Sequence, residues 1–177
     1  MRFKKKYFIL LFIIIAGCQT TEYQKRVKLE NNVISKTIKQ WENEKNLMLI
    51  GQGGSIVPGN EFIGLFFNYY NPVTIDEARN LIIGIAQDFL SNLIQNENLN
   101  NLLDIPYDMN KIEIEIFIYN TDRTSRPFPE INYVNIKNKM LKFYCKNKYL
   151  SIDEPSFEII HEESYEEALK LITKDKK

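Results

Sequence analysis

The sequence is poor in the side chains that build metal sites, and it has no excess of either charge. It contains one histidine and two cysteines, too few to form a zinc cage by themselves. Its 23 basic residues are balanced by 23 acidic residues, whereas a nucleic-acid-binding protein usually carries a strong basic excess. The composition therefore predicts no metal or other cofactor and no nucleic-acid partner. With 177 residues and 44% hydrophobic content, the chain can bury a core in one domain.

The sequence also lacks an apolar run long enough to span a membrane. The run YFILLFIIIA covers only residues 7–16, and a membrane-spanning helix needs about 20 apolar residues. The run follows the basic segment MRFKKK and is followed by small residues. A basic start, a short apolar stretch and small residues before a cleavage site are typical of an export signal.

The end of this signal has a specific form. The tetrapeptide Ile15-Ala16-Gly17-Cys18 resembles the lipobox of bacterial lipoproteins, in which small residues precede a cysteine. The resemblance implies that the Cys18 thiol is joined to a diacylglycerol and that cleavage between Gly17 and Cys18 leaves the cysteine as an acylated N-terminus. An ordinary cleaved signal and an uncleaved anchor helix are the alternatives.

The resemblance divides the chain into three parts. We expect residues 1–17 to be a lipoprotein signal peptide, residues 18–26 to be the lipidated cysteine with a tether, and residues 27–177 to be a single α+β domain. Removal of the signal leaves 19 basic and 23 acidic residues, a net charge of −4. Such a chain gains no electrostatic attraction to anionic lipid, so we expect the acyl chains on Cys18 to provide the membrane attachment.

The residue after the lipobox cysteine indicates which membrane would hold the protein. In lipoproteins of Gram-negative bacteria, an aspartate at this position tends to retain the protein at the inner membrane, and Gln19 occupies it here. The resemblance thus implies a location in the cell envelope, on the periplasmic face of the outer membrane if the cell has one. The chain is also similar to small lipoproteins of obligate intracellular bacteria in its GQGGS segment, its aromatic strand and its TIDEAR helix start, which implies nothing about mechanism.

Hydrophobic periodicity predicts an α+β fold. The spacing of apolar residues predicts a helix over 27–45, a long helix over 75–95 opened by a capping box at Thr74 and Glu77, and a C-terminal helix after a second capping box at Ser164 and Glu167. Strands are expected at 47–50, 61–70, 111–119, 131–136 and 140–145, with a possible last one at 157–160, and GQGGS is expected to be a turn. Because the strands follow one another through short turns, we expect an antiparallel sheet of about five strands with the long central helix and the C-terminal helix packed on one face.

Two groups of residues are candidate binding surfaces. In the second strand, Phe62, Phe66 and Tyr70 share one face and could form a pocket or a partner surface, although burial under a helix is the favoured interpretation. In the loop after the strand at 111–119, the side chains of Arg123, Arg126 and Phe128 could grip a carboxylate or a phosphate. Neither group identifies a ligand.

The remaining candidates favour structural roles. Glu113 and Glu115 share one face of a strand and cannot flank a sugar bond from opposite sides, so a solvated face is expected. GQGGS is not followed by a phosphate-binding lysine, Cys145 alternates with core positions and is expected to be a buried thiol, and His161 has no second histidine as a partner. The catalytic residues, if any, are therefore unknown.

These observations favour a lipid-anchored envelope protein whose domain binds a partner or a ligand and catalyses nothing. Its partners would be the membrane, through the lipid on Cys18, and an envelope protein. One alternative is an envelope hydrolase acting on cell-wall glycan. A second alternative is an inhibitor or immunity-type lipoprotein that binds a periplasmic enzyme.

Overall fold

The computed structural model describes residues 4–55, 57, 60–103, 105–147 and 157–174, and gives the backbone alone for residues 4–21. The elements follow in the order α1 (Lys4–Lys45), β1 (Leu47–Ser55), β2 (Phe62–Tyr69), α2 (Ile75–Ile94), α3 (Glu97–Asn100), a 3-10 turn (Met109–Lys111), β3 (Ile112–Ile118), β4 (Ile131–Lys137), β5 (Met140–Lys146), β6 (Phe157–Ser164) and α4 (Tyr165–Lys174).

The six strands form one mixed sheet in the order of the chain. Neighbouring strands are antiparallel except β2 and β3, which are parallel. The α+β class and the placement of the helices on one face are confirmed. The sheet differs from the expected antiparallel sheet of about five strands in two details. Helix α2 carries the chain back along the sheet before β3 begins, which makes β2 and β3 parallel, and the possible last strand, β6, is a full strand of eight residues.

The helices cover one face of the sheet and enclose the core. Helix α1 contacts β1, α2 contacts β3 and β4, and α4 contacts β5 and β6. Trp41 of α1 is fully buried between Phe67 of β2 and Phe89 of α2, with ring centroids 5.7 and 6.1 Å away. The apolar residues whose spacing predicted this helix thus pack on its own domain, where Ile34 and Ile38 are also buried.

Helix α1 begins much earlier than the sequence predicts. Residues 18–26, which were expected to form a tether, belong to the helix. The polar segment has no apolar periodicity, but Arg26 forms an ion pair of 2.8 Å with Glu30 one turn later and lies 3.6 Å from Glu61. These contacts fix the helix to the domain, and hydrophobic periodicity cannot predict them because they join charged side chains.

The predicted processing site lies in the backbone-only part of α1. Gly17 and Cys18 are within the helix, and their side chains are outside the described part of the chain. In the part that is described, no helix combines the length and the apolar content needed to cross a bilayer.

The glycine-rich segment is a strand rather than the expected turn. Strand β1 continues through GQGGS to Ser55 and pairs with β2, with Gly53 opposite Gly64 and Gly54 opposite Ile63. A Cβ atom added at Gly54 would lie 2.5 Å from the Phe62 carbonyl oxygen. The glycine therefore permits a close approach of two backbones, a role that glycine has in strands as well as in turns.

Both predicted capping boxes are confirmed. The Thr74 amide donates to the Glu77 carboxylate at 2.8 Å, and the Glu77 amide donates to the Thr74 hydroxyl at 3.3 Å. The same pair of bonds joins Ser164 and Glu167 at the start of α4, at 2.8 and 3.2 Å. Each box satisfies two of the amides that a helix leaves without intrahelical partners.

Candidate functional site

The face of the sheet opposite the helices is rich in aromatic side chains, and no helix among the described residues covers it. In β3, the isoleucines facing the helices are buried, while Glu113, Glu115 and Phe117 alternate with them and are half-buried. The described helices contact the sheet on the side where these isoleucines are buried. We call the opposite side the open face, and its aromatic members are Phe62, Phe66, Tyr70, Phe117, Tyr119, Tyr133, Tyr144 and Phe157.

A row of aromatic rings in mutual contact crosses the open face from β3 to β6. The Tyr133 ring is the centre of this row. Phe117 stacks on it at 4.9 Å with an interplanar angle of 26°, Tyr144 lies 4.8 Å from it, and Phe157 lies 5.7 Å from it. These rings come from four neighbouring strands and support one another as cross-strand pairs.

Phe66 lies over a strip of glycines on β1 and β2. A Cβ atom added at Gly51 or at Gly64 would lie 3.4 Å from the Phe66 ring, and one added at Gly53 would lie 3.9 Å from it. The three glycines therefore leave room for the ring to lie along the surface of the sheet. Burial under a helix, which the sequence favoured for this side chain, is not what the structure shows.

Tyr70, another of the predicted aromatic residues, lies at the end of the open face where β2 and β3 finish. Its ring is 5.6 Å from the Tyr119 ring, and the Arg123 guanidinium lies 5.2 Å over it. The Tyr70 hydroxyl accepts a hydrogen bond of 3.1 Å from the Asn68 amide. The structure thus brings together two residues, Tyr70 and Arg123, that the sequence placed in separate candidate groups.

The other two loop candidates do not join this cluster. Arg126 is buried, donates to Glu130 at 2.8 Å, and donates to the Val73 carbonyl oxygen at 3.2 Å. Its guanidinium therefore stabilises the loop through Glu130 and Val73, whereas the sequence suggested that it could grip an anion. Phe128 is 47% exposed and belongs to the same loop.

One carboxylate on the open face has an altered acidity. Glu115 lies between Phe66 and Asn135, its neighbours on β2 and β4. Burial raises the pKa of the Glu115 carboxyl, and the negative charge of Glu113 adds to this, while a hydrogen bond from the Tyr133 hydroxyl opposes it. Glu113 itself is paired with Lys137 at 2.8 Å. The two glutamates are therefore half-buried, whereas a solvated face was expected.

The raised pKa of Glu115 makes the stability depend on pH in a definite direction. A group whose pKa is higher in the folded state stabilises the fold when it is protonated, and this contribution is lost as the pH rises through the folded-state pKa. The E115Q variant keeps the shape and carries no charge at any pH. We therefore expect a higher thermal midpoint for E115Q than for wild type at pH 7.

The difference between the two proteins should vanish below about pH 4, where wild-type Glu115 is also protonated. Thermal unfolding followed by circular dichroism across this range measures it. The E162Q variant is the control, since Glu162 is an exposed carboxylate 3.6 Å from Lys142 at the margin of the same sheet. A midpoint of E115Q below that of wild type at pH 7 would contradict the assignment.

The remaining candidates, Cys145 and His161, lie in strands β5 and β6. Cys145 is fully buried in β5, as expected, and burial raises the pKa of its thiol. His161 in β6 has a side chain that is 38% exposed and lies 3.5 Å from Glu163. Glu163 in turn accepts a hydrogen bond from the buried Arg79 of α2. In the described part of the chain, no group of His, Cys, Asp and Glu side chains could hold a metal ion.

Most of the open face could not be recognised from the sequence. Alternation puts Phe117 on the same side of β3 as the glutamates but does not connect it with Tyr133, Tyr144 and Phe157 on the next strands. The available signal was an aromatic residue at alternate positions of successive strands. Periodicity shows which residues share a face within one strand, but only the register between strands brings them into one row.

Comparison of this chain with protein-family models, with curated proteins and with solved structures finds no match.

Proposed function

We propose that this chain is a lipid-anchored protein of the bacterial envelope and that its open face is a non-catalytic binding surface for another envelope protein. The lipobox Ile15-Ala16-Gly17-Cys18 supports the anchor. The observation that carries the binding role is the row of aromatic rings in contact with one another on a sheet face that no described helix covers. Aromatic residues are enriched in the centres of protein interfaces.

The size of the open face fits a protein partner. Six strands spaced about 4.8 Å apart, each about seven residues long at about 3.3 Å per residue, give a surface of roughly 600 Å². A standard protein interface covers about 800 Å² on each partner, so a partner that also contacts the sheet edges would reach the usual size.

The rings and charges of the open face are already held in place before a partner binds. Tyr133 contacts three neighbouring rings, and its hydroxyl accepts a hydrogen bond of 3.0 Å from the Asn135 amide. Lys137 is paired with Glu113. Side chains with restricted freedom lose little entropy when they bind, which favours association.

Site-specific photo-cross-linking in intact cells tests the binding role. A photoreactive phenylalanine analogue placed at Tyr144 replaces an aromatic residue of the open face by another of similar shape. We expect it to yield a discrete cross-linked protein, which mass spectrometry then identifies. The matched control carries the same analogue at Ser35, an exposed position of α1 on the other side of the molecule, and should not yield this species.

Two outcomes would contradict the proposed surface. One is the absence of any cross-link from position 144 in cells that contain the lipidated protein. The other is the same cross-linked species from position 35. Capture of a periplasmic enzyme that loses activity in the complex would make the protein an inhibitor or immunity-type lipoprotein.

One observation favours an envelope hydrolase as a second candidate. Glu115 has a raised pKa on an open surface, which is a property of general acids. Its neighbour Glu113 is on the same side of the same strand, so the two carboxyls do not face each other across a cleft. Release of soluble sugar from cell-wall glycan by the wild-type protein, and its loss in E115Q, would support this candidate over the first.

A further inference from the structure

The turn of α1 that contains Arg26 and Glu30 is fixed to one particular end of the sheet. The Arg26 guanidinium lies 3.2 Å from the Tyr107 hydroxyl and 3.6 Å from the Glu61 carboxylate, and the Tyr107 hydroxyl donates to Glu30. Glu61 immediately precedes β2, and Tyr107 precedes β3. Because β2 and β3 are parallel, both begin at this end, which we call the anchor end.

The anchor end exposes a cluster of large apolar side chains. Tyr23 is 60% exposed, Val57 61%, Phe62 39% and Ile105 64%. A surface groove of about 410 Å³ is lined by Tyr23, Val57 and Phe62. A second groove of about 480 Å³ is lined by Phe62 and Ile105. Phe62 therefore joins the exposed side chains into one continuous surface.

Ion pairs involve most of the charged side chains at the anchor end. Lys111 lies 3.2 Å from Glu61, and Lys137 lies 2.8 Å from Glu113. All four of these side chains line the groove between Phe62 and Ile105. Two of the three carboxylates that line this groove are therefore paired with lysines, and the third, Asp108, accepts hydrogen bonds from Asn110.

The chain leads from this cluster directly to the proposed lipid. Tyr23 is five residues after Cys18, and both residues belong to α1. Five helical residues span about 7.5 Å. The acyl chains would thus enter the bilayer within about one and a half helical turns of the apolar cluster, and no flexible linker separates the two.

We propose that the anchor end lies against the bilayer that holds Cys18, with Val57, Phe62 and Ile105 in the headgroup region. This inference rests on the proposed lipid anchor. The surface is a lipid contact, and its apolar side chains add to the acyl chains rather than replace them. As a consequence, the strands point towards the membrane. The open face is then perpendicular to the bilayer and accessible to a partner from the side.

Tryptophan quenching in vesicles tests this orientation with a matched pair of variants. The full lipidated protein is reconstituted in phosphatidylethanolamine–phosphatidylglycerol vesicles containing lipid with a doxyl group on an upper acyl carbon. F62W places the fluorophore at the anchor end. F128W places it in the loop between β3 and β4, at the opposite end of the sheet, on a residue of the same type and similar exposure. Trp41 is buried in the core and gives both variants the same background.

We expect the doxyl lipid to quench most of the emission added by F62W and to leave that added by F128W unchanged. Apolar side chains of an interfacial segment lie about 5–10 Å into the headgroup and acyl boundary, which is within reach of the quencher. The emission of F62W should also shift to shorter wavelength when the protein is moved from detergent to vesicles. I105W, at a more exposed position, replaces F62W if the latter does not fold.

The outcomes separate this inference from the anchor itself. Absence of acyl label on the purified protein would overturn the lipid anchor and this inference together. Lipidated protein in vesicles with F62W unquenched would overturn the inference and leave the anchor intact. Equal quenching of F62W and F128W would also overturn it, because an anchored domain without a fixed orientation brings both ends to the bilayer equally.

Discussion

Replacement of Trp41 by alanine should lower the free energy of unfolding by about 3–5 kcal/mol, the usual cost of removing a large buried aromatic side chain. Trp41 is fully buried and contacts Phe67 and Phe89 edge-on. It therefore joins α1 to both the sheet and α2, and its loss leaves a cavity where three elements meet. Since domains of this size are stable by about 5–15 kcal/mol, W41A should remove a large part of the total. Chemical denaturation followed by circular dichroism measures the difference.

The W41F variant is the matched control for this prediction. The indole Nε1 of Trp41 is buried and has no hydrogen-bond partner among the described residues, and an unsatisfied donor is costly in a core. Phenylalanine removes this donor and keeps most of the ring contacts, so W41F should lose much less stability than W41A. Equal losses in the two variants would contradict the packing role assigned to the ring.

Replacement of Cys18 by serine should abolish acylation of the protein completely. A serine hydroxyl cannot form the thioether that the lipobox resemblance implies. Two or three acyl chains hold a protein firmly because each buried CH₂ contributes about 0.8 kcal/mol. Labelling of cells with a palmitate analogue, followed by purification of the protein, measures acylation directly.

Cys145 provides the control for this experiment. It is the other cysteine of the chain and is fully buried in β5, so it cannot reach a lipid in the folded protein. We expect C145A to be labelled like wild type and C18S to carry no label. Label that persists on C18S, or disappears in C145A, would show that the anchor is assigned to the wrong residue.

Local patterns in the sequence were sufficient to predict most of the elements and the capping boxes. The stripe from Ile75 to Leu93 predicted α2, and the alternation of isoleucine in β3 predicted which side of that strand is buried. Both are short-range signals, because a helix face and a strand face repeat within a few residues. The prediction that Cys145 is a buried thiol depended on a similar alternation in β5.

Features that depend on contacts between distant residues could not be predicted in this way. The glycines of β1 were interpreted as a turn because the Phe66 ring that lies over them is on another strand. The start of α1 was placed too late because Arg26 is fixed by Glu61 and Tyr107, which are distant in sequence. The row around Tyr133 depends on the register of four strands, and sequence alternation does not specify register between strands.

Mass spectrometry of the protein extracted from cell envelopes tests the central claim most directly, because it identifies both the first residue of the mature chain and the group on its sulfur. We expect an N-terminal peptide that begins at Cys18 and carries a diacylglyceryl group on the thiol, with a further acyl chain on the amine. A mature chain that begins at any other residue, or a Cys18 thiol without lipid, would contradict the proposal that this protein is held at the membrane by its own N-terminal cysteine.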